Sequence, residues 1–279
     1  MTVRIAIMGR GRLGRCLAAA LAERGERVVA ASARSAAAAA TVAGADLVLL
    51  TVPDDAIKAV VDALPWRRGQ AVVHCSGATE LTVLAAAARA GAQVGGFHPL
   101  QIFSDPDSAD PSLAGQMLAG SRVALEAEPP LIDELQRLAR LLGMVPLTLP
   151  PGSRAAYHAA ASFTASFLLP MLDESVRVWA AVGLPADAAL AALLPLARGT
   201  LAAASSRGLP GALAGPISRG DVGVVAQHLQ ALDALGGGHG EFYRELSLRQ
   251  LRLAQQSGRV SAEALQTLEA VLRCSPSTA

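Results

Sequence analysis

His98 closes a short apolar run in GGFHPLQIF (95–103) and His158 opens YHAAASFTASFL (157–168) at its second position; the chain has five histidines in all. Imidazole takes up or releases a proton near neutral pH, so either side chain could protonate an anion that develops during a reaction. Ser76, in HCSGA (74–78), could orient a polar substrate, and Arg219, in GPISRGD (215–221), could hold a substrate carboxylate. Ser162 follows His158 by four residues and shares its face of a helix. Each has a plainer reading. His98 could be a packed core residue, His158 a polar residue between helices, and Ser76 a helix cap or turn residue. Ser218 followed by Asp221 resembles an acidic form of the capping box, so local capping is the reading adopted for those two. His74 shares the side of its strand with Ser76 and is read as structural, while His228 and His239 are assigned no role.

The elements that must position these groups follow from hydrophobic period. VRIAIM (3–8) is a buried strand, RLGRCLAAALAERG a helix ending at Gly25, and RVVAAS a second strand. ADLVLLTVP, QAVVHCS, QVGGF, RVALEA and MVPLTL continue as strands, and DDAIKAVVDAL, TELTVLAAAARAG and PPLIDELQRLARLLG as helices between them. This alternation predicts an α/β fold, a Rossmann-type doubly wound parallel sheet. At PPGS (150–153) the pattern changes, and only helical periodicity follows, near 154–182, 186–206, 219–235, 240–256 and 261–273. The expected organisation is a dinucleotide-binding domain over 1–150 and an all-helical substrate and dimerisation domain over 151–279, with Ser153 capping a long helix that stops at Gly183.

Within the first βαβ unit lies GRGRLG (9–14): Gly9, Arg10, Gly11, Arg12, Leu13 and Gly14. In that context the glycines permit a tight turn and close approach of a pyrophosphate to the helix N-terminus. An NAD site usually has an acid at the end of the second strand; here AASARS (30–35) has none. Arg34 with Ser32 and Ser35 can instead receive a 2′-phosphate, helped by Arg10, which points to NADP(H). Thr51, Val52 and Pro53 end one strand at the ligand edge and Ser76 and Gly77 end the next, and all are expected to contact the cofactor or substrate.

The composition narrows the partners. A net charge of +1 and 3% aromatic residues leave no basic, aromatic-lined surface for nucleic acid. Three separated cysteines, Cys16, Cys75 and Cys274, show neither disulfide nor metal-ligand spacing. No signal peptide and no uninterrupted apolar run of about 18 residues is read, so a soluble, cytoplasmic protein with a small-molecule ligand is expected. The single lysine, Lys58, is the only candidate for lysine chemistry. Small residues at Ala159, Ala161 and Ser162 suit close helix packing, and a homodimer through the helical domain is expected.

GRGRLG, HCSGAT, GGFHPLQIF, YHAAASF and GPISRGD together resemble the bacterial Rossmann-like oxidoreductases whose C-terminal half is a domain of unknown function. These are similar to the larger set that includes 6-phosphogluconate dehydrogenase, ketopantoate reductase, pyrroline-5-carboxylate reductase and prephenate dehydrogenase. The resemblance implies an NADP-dependent oxidoreductase, with a Rossmann domain and a helical domain that commonly dimerises. Ser76 and His98 match the serine and histidine of the prephenate dehydrogenases, whereas the lysine that the hydroxyacid dehydrogenases and ketopantoate reductases carry near the start of the long helix is replaced here by Tyr157 and His158. The implied reaction is reduction of a small carboxylate-bearing carbonyl, such as the 2-oxo acid ketopantoate, or of a cyclic imine, with prephenate a third substrate. A non-catalytic NADP(H)-binding regulator and a deazaflavin-dependent oxidoreductase are the alternatives.

Overall fold

The computed structural model describes residues 3–103 and 111–274. Two compact units make up the chain, Met1–Ala165 and Ser166–Ala279. The division falls after the first helix beyond residue 150 rather than at 150, because that helix is anchored to the sheet by its first side chain, described below.

In the first unit the elements run β1 (Arg4–Met8), α1 (Arg12–Glu23), β2 (Arg27–Ala31), α2 (Ala38–Ala43), β3 (Leu47–Leu50), α3 (Asp54–Ala63), β4 (Ala71–His74), a 3₁₀ turn (Leu81–Leu84), α4 (Ala85–Arg89), β5 (Gln93–Leu100), α5 (Pro111–Leu118), β6 (Arg122–Ala127), α6 (Leu131–Leu141), β7 (Val145–Thr148) and α7 (Arg154–Thr164). The seven strands form one sheet in the order β2-β1-β3-β4-β5-β6-β7. Alternate residues of each strand feed opposite faces. Ile5, Ile7, Leu47, Leu49 and Val73 join Leu17, Leu21, Leu135 and Leu138 of α1 and α6. Ala6, Met8, Val48, Leu50 and Val72 join Val42, Ile57 and Val61 of α2 and α3. A sheet covered on both faces needs unbroken apolar strands, which is why the strands read as continuous runs and not as alternations.

The sheet departs from the fully parallel arrangement at one place: β5 and β6 pair antiparallel, with Leu100 opposite Arg122 and Gly96 opposite Glu126. Between them α5 packs against α1, and β6 pairs beside β5 in the opposite sense. The segment expected as one helix over TELTVLAAAARAG is shorter, a 3₁₀ turn followed by the five residues of α4.

The second unit is helical: α8 (Leu168–Ala181), α9 (Ala186–Ala212), α10 (Val222–Leu235), α11 (His239–Ser257) and α12 (Ala262–Arg273). The expected helix over 154–182 is therefore two, α7 and α8. Pro170 has no N–H to offer the carbonyl of Ser166, and its ring collides with that carbonyl in a continuous helix, so the chain turns over 165–167. Gly183 does end α8, with φ 90°. Ile217, Val225, Leu229, Ala254, Leu268 and Leu272 form the core of this unit. Ser261 caps α12 by accepting the N–H of Ala264 at 3.2 Å. The capping expected of Ser218 and Asp221 is absent: the Ser218 hydroxyl donates to the Gly215 carbonyl, and Asp221 makes no side-chain cap for α10. Gly208, with φ 68°, breaks α9 near its end; only Ala189 of α9 is buried, and the helix is long and apolar enough, by length and composition, to cross a membrane.

Candidate active site

The turn from β1 into α1 holds Gly9 with φ 138°. A Cβ on Gly9 would stand 2.6 Å from Oγ1 of Thr51, and one on Gly14 would stand 2.2 Å from the Gly9 carbonyl oxygen. Loop, helix and β3 therefore meet at distances only glycine allows, while nothing lies within 4 Å of a Cβ on Gly11. The Thr51 hydroxyl donates to the Gly9 carbonyl at 3.2 Å and helps fix the loop. Around it opens a cleft of about 840 Å³ lined by Gly9, Arg10, Gly11, Arg12, Leu13, Ser32, Ala33, Arg34, Thr51, Val52 and Pro53, with Ala56 and Val60 of α3 and Ile102 and Phe103 beyond β5. Its lining includes three arginines and no carboxylate, so its field favours an anion. Ser32 accepts the N–H of Arg34 at 3.3 Å and shapes the corner after β2. Ser35 donates to the Ser32 carbonyl and, like Gly14, Ser76 and Gly77, is not among the residues lining the cleft. Lys58, on α3, is solvent-exposed and pairs with Asp62 one turn on.

At the same carboxyl edge of the sheet, His98 of β5 meets α7. Its Nδ1 lies 3.1 Å from the Tyr157 hydroxyl. The ring stands edge-on to Tyr157 at 5.7 Å and to His158 at 5.6 Å. The two imidazoles converge over Gly77: a Cβ there would be 2.4 Å from Nδ1 of His158 and 2.8 Å from Nε2 of His98. Burial first, then the neighbouring His158 and Arg154, pushes the His98 pKa down to about 4, so the ring is neutral at pH 7. Burial raises the pKa of Tyr157, which keeps its proton. His158 is exposed.

Ser76 works locally. Its hydroxyl lies 2.7 Å from Oδ2 of Asp54 and accepts the N–H groups of Ala78 and Thr79, so it shapes the turn after β4 and ties it to the head of α3. Ser162 donates to the carbonyl of His158 within α7. Arg219 lies in the second unit and is paired with Asp221 at 2.8 Å. Ser153 donates to the Pro150 carbonyl and does not cap α7 with its side chain. Glu80 does so instead, accepting the N–H of Gly152 at 3.3 Å and of Arg154 at 3.1 Å.

Beneath this cluster lies a group that the sequence reading passed over. Arg154 is fully buried, at 0% exposure. Its Nε donates to Glu126 at 2.5 Å and its Nη1 to the Ser76 carbonyl at 3.0 Å. His74, Gly96 and Glu126 sit side by side in register on β4, β5 and β6. The guanidinium fills the dip left by Gly96, where a Cβ would come within 1.8 Å of Nη2. Beside it, His74 is buried with no hydrogen-bond partner on either ring nitrogen, and burial and the Arg154 charge hold its pKa down at about 3. The signals were present: paired glycines inside a strand mark a close approach, and Glu126 is an isolated acid in the apolar strand RVALEA.

A Rossmann-like domain defines the class of the first part of the chain, and residues 1–99 match it. Residues 121–250 match the domain of unknown function DUF2520. The site draws on both, with His98 and Gly77 from the first match and Glu126, Arg154, Tyr157 and His158 from the second. No protein of curated function matches the chain in sequence. Among solved structures, it is similar to a protein from Thermotoga maritima (20% identity, 91% of this chain and 100% of that one, TM-score 0.71). It is also similar to a Bacteroides fragilis protein proposed to be an NADP oxidoreductase (23%, 88% and 97%, TM-score 0.63). A third is the reductive aminase of Aspergillus terreus, in complex with NADPH and ethyl-5-oxohexanoate (16%, 98% and 93%, TM-score 0.59). At these identities the likeness establishes the fold.

Proposed function

We propose that the protein is an NADP(H)-dependent reductase of a small compound with a C=O or C=N bond. The observation that carries this reading is one sheet edge that holds both an anion-favouring glycine-loop cleft and a cluster of His98, Tyr157 and His158. The cleft fits the cofactor. Gly9 and Gly14 leave the close-packed backbone a dinucleotide needs, the first turn of α1 offers N–H groups to a pyrophosphate, and Arg34 and Arg10, both in the cleft lining, can receive a 2′-phosphate. Bound there, NADPH would supply a hydride to the electrophilic carbon. The B. fragilis and A. terreus proteins, similar in fold, support the same cofactor.

The protein's own part is to place the substrate and manage one proton. Burial keeps His98 neutral, so it serves as a hydrogen-bond donor or acceptor and not as a store of positive charge. With the Tyr157 hydroxyl donating to Nδ1, Nε2–H is left facing the gap over Gly77, where it can hold the oxygen or nitrogen of the reacting bond. His158, on the exposed side of that gap, delivers the proton and is recharged from solvent. The reading extends to a carboxylate-bearing substrate, a 2-oxo acid or cyclic imine. The described residues at the cluster offer no free cation for the carboxylate, since Arg154 is committed to Glu126 and Ser76.

We also read the protein as a cytoplasmic homodimer. The exposed leucines of α9, Leu190, Leu196, Leu201 and Leu209, are the kind of surface that a second copy covers. The decisive experiment is fluorescence titration with NADPH and NADH, followed by absorbance loss with a panel of 2-oxo acids and cyclic imines. NADPH binding with turnover supports the reading; tight binding with no oxidation by any member of the panel counts against it and favours a cofactor-binding regulator.

A further inference from the structure

Of the eleven residues in α7, only Arg154 is fully buried. No apolar side chain of the helix reaches full burial, so its attachment to the sheet is polar. Glu80 holds the backbone N–H groups of Gly152 and Arg154, while Glu126 and the Ser76 carbonyl hold the guanidinium. A buried ion pair carries a large desolvation cost, and an apolar pair of similar volume often stabilises a fold as well or better. The pair offers direction instead. A guanidinium gripped on two sides in a slot cut by Gly96 fixes both the height and the rotation of the first turn. Tyr157 and His158 follow Arg154 by three and four residues and so lie on its side of the helix.

We propose that Arg154 is a positioning residue: gripped by Glu126 and the Ser76 carbonyl, it sets the rotation of α7 so that Tyr157 meets Nδ1 of His98 and His158 faces His98 across Gly77. The catalytic consequence rests on the reductase reading, but the geometry can be tested without a substrate. The groups that face His98 are Asp54 of α3, His74 of β4, and Arg154, Tyr157 and His158 of α7. Of these, α7 carries three, so a turn of that helix changes most of what the imidazole meets.

The test compares the wild-type protein with an Arg154→Met, Glu126→Leu double variant and with Gly96→Ala, by long-range proton–nitrogen NMR of the imidazoles. His98→Gln assigns the His98 signals. The double variant removes both charges together and leaves no lone buried ion, whereas Gly96→Ala keeps both charges and displaces the guanidinium. In each, the His98 nitrogen shifts should leave their wild-type values, while NADPH affinity, set at the glycine loop, stays as in the wild type. In Gly96→Ala, which keeps the Arg154 charge that itself lowers the His98 pKa, the titration should also move away from about 4. Unchanged His98 shifts in either folded variant, or an unchanged titration in Gly96→Ala, would overturn the proposal. So would loss of folding in both, which would make Arg154 a stability element only. If a substrate is found, turnover should fall roughly 100-fold, the scale of a small misplacement of reacting groups. Full turnover alongside a displaced His98 would count against the role of His98 in the reaction and leave the positioning intact.

Discussion

Gly77 leaves room for two imidazoles, and a methyl group there is enough to part them. Gly77→Ala is expected to reduce turnover by roughly 100-fold, the effect of displacing reacting groups by about an ångström, with NADPH affinity unchanged in a fluorescence titration. His98 and His74 also make a prediction about pH. Their pKa values in the folded protein, about 4 and about 3, lie below the ordinary 6.5, so the unfolded chain binds protons first as pH falls. Stability should therefore decline below pH 6.5, down to about 4 for His98 and about 3 for His74, and be insensitive to these residues above it. Thermal melts across pH 3–7 check this, and His74→Leu should flatten the acid limb. Because neither ring nitrogen of His74 has a partner, that change should cost within about 1 kcal/mol at pH 7, or stabilise. The histidines and the serine were legible in the sequence as chemistry-bearing types. Arg154 was not: an arginine opening an alanine-rich helix reads as solvated, and its burial depends on a glycine and a glutamate contributed by distant strands.

At the scale of elements, the unit from β1 through the glycine loop to α1 was legible because its signals are local: an apolar run, turn glycines and a helical period in succession. Strand direction was not, since the apolar run of β6 reads alike in either sense, and only the return of the chain through α5 decides that it opposes β5. The break between α7 and α8 was written in Pro170, but the apolar period continues across it and hides the interruption. The corner after β2 carries a prediction of its own. Replacing Arg34 with alanine should weaken NADPH binding by roughly tenfold to hundredfold, the worth of a charge-assisted hydrogen bond, and leave NADH binding almost unaffected. In the second unit, Ser261→Ala removes the side-chain cap of α12 and should lower stability by about 1 kcal/mol in a denaturant titration.

For the whole molecule, the exposed apolar side chains of α9 matter most. Leu196 and Leu201 are 68% and 56% exposed, in a helix with one buried residue. Light scattering after gel filtration should give twice the chain mass of 28.4 kDa, and Leu196→Glu with Leu201→Glu should give a single chain of unchanged helical content. A single-chain wild type would remove the dimer from the reading without touching the first unit. The sequence also leaves α3 with an unusual property. Lys58 is the only side-chain amine in 279 residues, it is exposed, and it lies across the helix from Ala56 and Val60, which line the cleft. An amine-reactive label has one side chain to find, and it would sit on the side of α3 turned away from the cleft, so the native protein can be tethered at one defined point with the cleft left open and no residue altered.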